Sequence, residues 1–125
     1  KNLPGIVITT GSVAGNAAYA GGAVYCASKA AVRYIADGLR IDTMDTRIRV
    51  TNIEPGMAET EFSIVRYRGD EAKAKNVYKG IDPLTGDDIA QTVAYICNLP
   101  ENVQIPEIIL TPNKQADALN KHIKK

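Results

Sequence analysis

Ile6-Val7-Ile8-Thr9-Thr10 is β-branched throughout and too apolar to alternate, the pattern of a strand in a parallel sheet with helices on both faces. The strand stops at Gly11. From Gly11 to Gly22 the chain is built from small residues and turn formers, a loop whose backbone can pass close to a ligand. Val24 to about Met44 then reads as a helix, with Val24, Ala27, Ala31, Ile35 and Leu39 recurring at three- and four-residue intervals. Ala31, Ala36 and Gly38 give it a thin profile, suited to close packing against a sheet or another helix. Ile48-Arg49-Val50-Thr51-Asn52-Ile53 is the next strand, ended by Pro55-Gly56. Strand, helix and strand in this order predict a right-handed crossover unit.

Beyond it, residues 57–80 are charged and interrupted by Gly69 and Gly80, which predicts a mobile excursion with one or two short helices, one of them near Glu71 to Tyr78, placed to cover a ligand. Thr85 opens a second long helix through a T-x-x-D pattern with Asp88, and Ile89, Val93, Ile96 and Leu99 line one face of it. Pro100 stops that helix, and Ile108-Ile109-Leu110-Thr111 supplies a last strand. The tail over 113–125 is polar and is expected to add little core. Three parallel strands and two main helices leave an open edge and thinly covered faces. The expected architecture is therefore α/β, roughly the second half of a doubly wound, Rossmann-type parallel-sheet domain over 1–125, with its lid at 57–80.

The 125 residues are 45% hydrophobic and 23% charged, which excludes a disordered, collagenous or coiled-coil chain. A formal net charge of +1 gives no global field toward nucleic acid or an anionic membrane, so any partner is met at a local site. Cys26 and Cys97 lie far apart and His122 stands alone, so neither a disulfide framework nor a metal-ligand cluster is read. With no long apolar run and no signal-peptide layout, the expectation is a soluble, cytoplasmic protein.

Tyr25 and Lys29, four residues apart, share a face in the first turns of the first helix. A free phenol ionises only near pH 10, so acid–base work near neutrality calls for an adjacent cation, and this spacing supplies one. Alone, the pair equally describes two ordinary half-exposed helix residues. Ser12 stands at the carboxyl end of the preceding strand, where open sheets bind ligands, and can orient a substrate oxygen beside the phenol. It can also simply satisfy the turn backbone. Pro55-Gly56 ends the neighbouring strand on the same edge, with Thr60 close behind; free backbone groups and a hydroxyl there suit an amide-bearing ring such as nicotinamide, although Pro-Gly is a common turn.

Taken together, Gly11-Ser12-Val13-Ala14-Gly15, Tyr25-Cys26-Ala27-Ser28-Lys29, and Asn52-Ile53-Glu54-Pro55-Gly56 with Thr60 resemble the second half of the short-chain dehydrogenase/reductase family. Tyr19-Ala20-Gly21-Gly22, Glu59-Thr60-Glu61-Phe62-Ser63, Val65-Arg66-Tyr67-Arg68-Gly69 and Thr111-Pro112-Asn113-Lys114-Gln115-Ala116 look like its NADP-dependent 3-hydroxy acid (serine) dehydrogenase branch. The resemblance implies an oxidoreductase moving a hydride between NADP and a small 3-hydroxy acid, usually as a homotetramer. It implies Tyr25 as proton donor and acceptor and as a cofactor contact, Lys29 as its activator and ribose partner, and Ser12 as orienter of the substrate oxygen. Pro55, the Ala58 backbone and Thr60 are implied as carboxamide contacts. For the substrate carboxylate, Arg66 or Arg68 on the lid is the candidate, since guanidinium pairs with carboxylate bidentately; solvated surface charge is the plain alternative for both. The glycine-rich dinucleotide fingerprint of that family has no counterpart in this sequence, so an upstream half is expected to be required.

Two other classes remain. Gly11-Ser12-Val13-Ala14-Gly15 has serine second rather than third, so it is not the nucleophile elbow of a serine hydrolase. A non-catalytic half-domain, pairing through its long alanine-containing helix, and a same-fold reductase of uncharged carbonyl compounds are the alternatives to a hydroxy acid dehydrogenase.

Overall fold

The computed structural model describes residues 3–124. In chain order they form β1 (Gly5–Thr10), α1 (Ala23–Asp42), β2 (Ile48–Pro55), β3 (Ala58–Glu59), α2 (Phe62–Arg66), α3 (Glu71–Asn76), β4 (Leu84–Thr85), α4 (Gly86–Cys97) and β5 (Glu107–Leu110). The main sheet is parallel throughout, in the order β1-β2-β5. Gly5 lies opposite Ile48 and Thr10 opposite Ile53, while Asn52 faces Glu107 and Pro55 faces Leu110. The carboxyl ends of the strands therefore finish together, which brings Gly11 and Ser12 beside Pro55. The expected α/β parallel-sheet class is the observed one.

The long helices start and stop where local chemistry dictates. Thr85 caps α4: its side chain accepts the Asp88 N–H, and the Asp88 carboxylate accepts the Thr85 N–H, closing a capping box. The Thr85 N–H first, and then the Thr85 hydroxyl, both donating to Asp88 Oδ2, hold the Asp88 carboxyl below its ordinary value. At the other end Arg49 from β2 donates to the carbonyls of Ile96 and Cys97 in the last turn and of Leu99 just beyond it, placing a cation where the helix dipole favours one. Ile96 is buried, with Ile89, Val93 and Leu99 half-buried beside it, so the sequence-derived face of α4 is the packed one.

On α1 the outcome differs. The stripe Val24, Ala27, Ala31 and Ile35 faces outward, Val24 being 85% and Ile35 64% exposed. Cys26 and Ala36 are buried instead, in line with Lys29, Arg33 and Arg40. The reason is polar: Lys29 Nζ donates to the Thr10 carbonyl at 2.9 Å, Arg40 donates to the carbonyls of Val50 and Pro106, and Arg33 pairs with Glu107 at 3.0 Å. Long cationic side chains reach the sheet while their stems and two small residues fill the space between.

The segment 57–80 carries two short helices, α2 and α3, the upper end of the expected one or two. Too short for periodicity to reveal is the parallel pairing of β3, near its start, with β4, just beyond its end. The tail departs from expectation at one residue: Gln115 is buried. Among the described residues no helix is long and apolar enough to cross a membrane.

Gly11 is packed where no side chain fits. A methyl group there would sit 2.8 Å from Asn52 Oδ1, and Asn52 cannot yield because Thr9 Oγ1 donates to that oxygen. Gly11→Ala is expected to cost about 1–3 kcal/mol by overpacking, read as a lower denaturant midpoint at unchanged slope.

Candidate active site

β1 and β2 deliver their last residues to one edge of the sheet, and α1 begins just beyond the loop that follows β1. Ser12 has an extended backbone and is buried; its Oγ accepts the Ala14 N–H at 3.1 Å and donates to the Pro55 carbonyl at 3.4 Å. Its hydroxyl thus caps the Val13–Gly15 turn, as the plain reading of a loop serine expects, and also stands at the edge where the strands end. Gly15 lets that turn lie against α1, since a methyl there would be 3.0 Å from the Lys29 carbonyl oxygen.

Across this loop Tyr25 and Lys29 project from one face of α1. Lys29 Nζ lies 5.8 Å from the Tyr25 ring centroid, and its bond to Thr10 O aims it at the strand edge. The Phe62 ring of α2 sits 5.6 Å from the Tyr25 ring, tilted by 45°, and packs against that ring. Arg66, at the end of α2, brings its Cζ to 5.9 Å from the Tyr25 ring, 6.0 Å from each of the Tyr19 and Tyr67 rings, and its Nη1 to 3.5 Å from Tyr19 Oη.

These residues share the wall of an open cleft of about 720 Å³. Of the eight residues singled out from the sequence, Ser12, Tyr25, Lys29, Pro55, Ala58, Thr60 and Arg66 line it, and Arg68 does not. Arg68 occupies a left-handed turn, φ 54°, that follows α2, and is exposed. The charged residues of the wall are Lys29, Arg66 and Lys121, with no Asp or Glu among them.

Sequence reasoning missed several lining residues. Tyr78 donates to the Ala58 carbonyl at 2.9 Å and shares a 2.6 Å bond with Ser63, bracing the segment after β2. Gln115 accepts the Met57 N–H at 2.8 Å, and Lys121 brings its ammonium within 3.5 Å of Met57 Sδ. A resemblance at Thr111 to Ala116 was visible, but nothing local signals that this polar stretch returns to the site.

The profile of the family described as short chain dehydrogenase matches residues 1–70. The chain belongs to that family. This short-chain dehydrogenase chain is 45% identical over 114 residues to the NADP-dependent 3-hydroxy acid dehydrogenase of Schizosaccharomyces pombe, covering 91% of the chain and 44% of that protein. It is 43% identical over 110 residues to a sulfoacetaldehyde reductase of Chromohalobacter salexigens, covering 88% of the chain and 44% of the relative. Among solved structures, the closed form of a serine dehydrogenase complexed with NADP+ superposes with a TM-score of 0.87 at 43% identity, over 95% of this chain and 49% of that one. The short-chain dehydrogenase chain thus spans about half the length of the relatives it matches.

Proposed function

We propose that the complete protein, in which this chain forms the second half of one Rossmann-type domain, is an oxidoreductase that moves a hydride between NADP and a small 3-hydroxy acid such as serine or 3-hydroxypropionate. What carries the reading is one cleft that gathers a phenol, an ammonium, a hydroxyl and a guanidinium without a carboxylate in its wall. Such a wall favours an anionic substrate, even though the chain as a whole is nearly neutral. The names of the relatives, which include a 3-hydroxy acid dehydrogenase and a sulfoacetaldehyde reductase, support the same chemistry.

The described residues fit the nicotinamide end of the cofactor. The Pro55–Ala58 backbone and the Thr60 hydroxyl offer carboxamide contacts, and Lys29 offers an ammonium to a ribose hydroxyl. The diphosphate and ribose 2'-phosphate would be met by the other half of the domain, so NADP rather than NAD rests on the relatives. When bound, the cofactor supplies the ring carbon that takes or gives the hydride. In oxidation, Tyr25 as phenolate takes the proton of the substrate hydroxyl; in reduction, its hydroxyl returns that proton to the carbonyl oxygen. Ser12 holds the same oxygen through its hydroxyl, and Arg66 receives the carboxylate.

Arg66→Ala in the complete protein is expected to lower kcat/KM for a carboxylated substrate about 10- to 100-fold, the worth of a charge-assisted pair, and to spare an uncharged ketone of similar size. Arg68→Ala should leave both within about twofold, as for a solvated surface charge. Equal losses on both substrates after Arg66→Ala would favour the reductase of uncharged carbonyl compounds instead.

The outward stripe of α1, including Val24, Tyr34, Ile35 and Ile41, supports assembly into a homo-oligomer, a tetramer by family resemblance. Sedimentation of the complete protein as a monomer at micromolar concentration would remove that reading.

A further inference from the structure

Among the polar residues that line the cleft, Gln115 has no part in the chemistry just described, yet it is 6% exposed and fully engaged. Its Oε1 accepts the Met57 N–H at 2.8 Å and its Nε2 donates to the Asp117 carbonyl at 2.9 Å, so both ends of the amide are fixed. The orientation is set by the partners, since Met57 N can only donate and Asp117 O can only accept. Gly56 is shaped to the same contact: a methyl group there would overlap Gln115 Oε1 and approach Thr111 Cγ2 to 3.1 Å.

The segment that carries Gln115 is itself held firmly. Asp117 Oδ1 accepts the N–H groups of Leu119 and Asn120 at 2.8 and 2.7 Å, and its Oδ2 accepts from Asn120 Nδ2 at 2.9 Å. Ala116 N donates to Asn120 O, His122 N to Lys114 O and Lys124 N to Gly80 O, at 2.9, 2.8 and 2.9 Å. This strap follows β5, meets the Pro55–Ala58 loop at Met57 and reaches the far end of the lid at Gly80. The loop is also braced by Tyr78 through the Ala58 carbonyl.

We infer that Gln115 is a positioning residue for nicotinamide binding: by clamping the Met57 N–H it fixes the Gly56–Ala58 backbone on which the carboxamide contacts depend. The inference rests on the dehydrogenase reading above. Gln115 touches neither substrate nor ring; it acts through the loop. A loop without that clamp can sample several conformations, and only the fraction that presents the right backbone groups binds, so affinity falls by that fraction.

The test uses the complete protein with Gln115→Met, of similar size but without the acceptor, and Gln115→Glu, which keeps an oxygen opposite Met57 N. NADP affinity is measured by calorimetry, Met57 protection by amide hydrogen exchange, and folding by thermal melts. Gln115→Met is expected to weaken NADP about tenfold, the scale of one net hydrogen bond, and to speed Met57 exchange. The KM for the hydroxy acid at saturating cofactor stays within about twofold. Gln115→Glu keeps the acceptor for Met57 N but loses the donor to Asp117 O, so it should bind NADP more tightly than Gln115→Met while falling short of the wild type. Wild-type NADP affinity in Gln115→Met overturns the inference, as does an equal loss in both variants that tracks a lowered melting temperature. A wild-type protein that binds no NADP would instead sink the dehydrogenase reading, and the inference with it.

Discussion

Tyr25→Phe in the complete protein is expected to lower kcat/KM for oxidation of a 3-hydroxy acid by about 10²- to 10⁴-fold, the range for removing a positioned general acid–base, while NADP affinity changes by no more than about threefold. The substitution deletes one oxygen and leaves the ring. That ring keeps its packing against Phe62 and its place beside the Arg66 guanidinium, so the shape of the cleft and its anion-receiving wall survive. Only the proton acceptor is lost, which makes the rate a clean reading of its role. Ser12→Ala is a less decisive probe, because the Ser12 hydroxyl also caps the turn through Ala14 N and ties the loop to Pro55 O. A steady-state assay in which the Phe variant turns over at the wild-type rate would assign the proton transfer to another group.

What the sequence makes legible here, and what it hides, follows from the range of each interaction. β1, β2, the start of α4 and the shared edge of Ser12, Tyr25 and Pro55 are set by residues close in sequence or by a regular period, so they can be read. The T-x-x-D spacing at Thr85 and Asp88 announces a cap because both partners lie within one turn. Periodicity says that α1 has two faces but not which one meets the sheet. The stripe of Val24, Ala27, Ala31 and Ile35 has the greater hydrophobicity, yet the stripe of Cys26, Lys29, Arg33, Ala36 and Arg40 faces inward, because its cations find carbonyls and Glu107 there. Arg66 and Arg68 stand on either side of Tyr67 and look equivalent; the left-handed turn at Arg68 is what parts them. Gln115 was hidden for a different reason, since its partner Met57 is 58 residues earlier and the stretch around it is uniformly polar.

The largest stability effect is expected at Glu54, an acid with no exposed surface between the sheet and α1. Asn16 Nδ2 donates to its Oε2 and Asn52 Nδ2 to its Oε1, the latter at 2.9 Å. Each asparagine has its own oxygen occupied, Asn16 by Arg33 Nη1 at 2.6 Å and Asn52 by Thr9 Oγ1 at 2.9 Å, so neither amide can turn over without breaking a bond. Glu54→Ala leaves two amide donors without acceptors and opens a small void, for an expected loss of about 3–5 kcal/mol in denaturant titrations. Glu54→Gln keeps the volume and one acceptor but points an NH2 group at an NH2 group, for about 1–3 kcal/mol. Burial pushes the Glu54 carboxyl up from its ordinary 4.5; the Asn16 bond opposes it, the Glu107 charge adds to it, and the Arg33 charge and Asn52 bond oppose it further. A raised acid binds its proton more tightly when folded, so its contribution to stability is greatest below the ordinary glutamate value and declines as pH rises through the folded one. The amide introduced by Glu54→Gln does not titrate, and the remaining carboxylates are common to both proteins. The stability of the wild type relative to Glu54→Gln should therefore fall as pH is raised from about 4 toward neutrality. A difference that grows over that interval would mean that the folded protein prefers the carboxylate, with Arg33 and the two amides outweighing the loss of water.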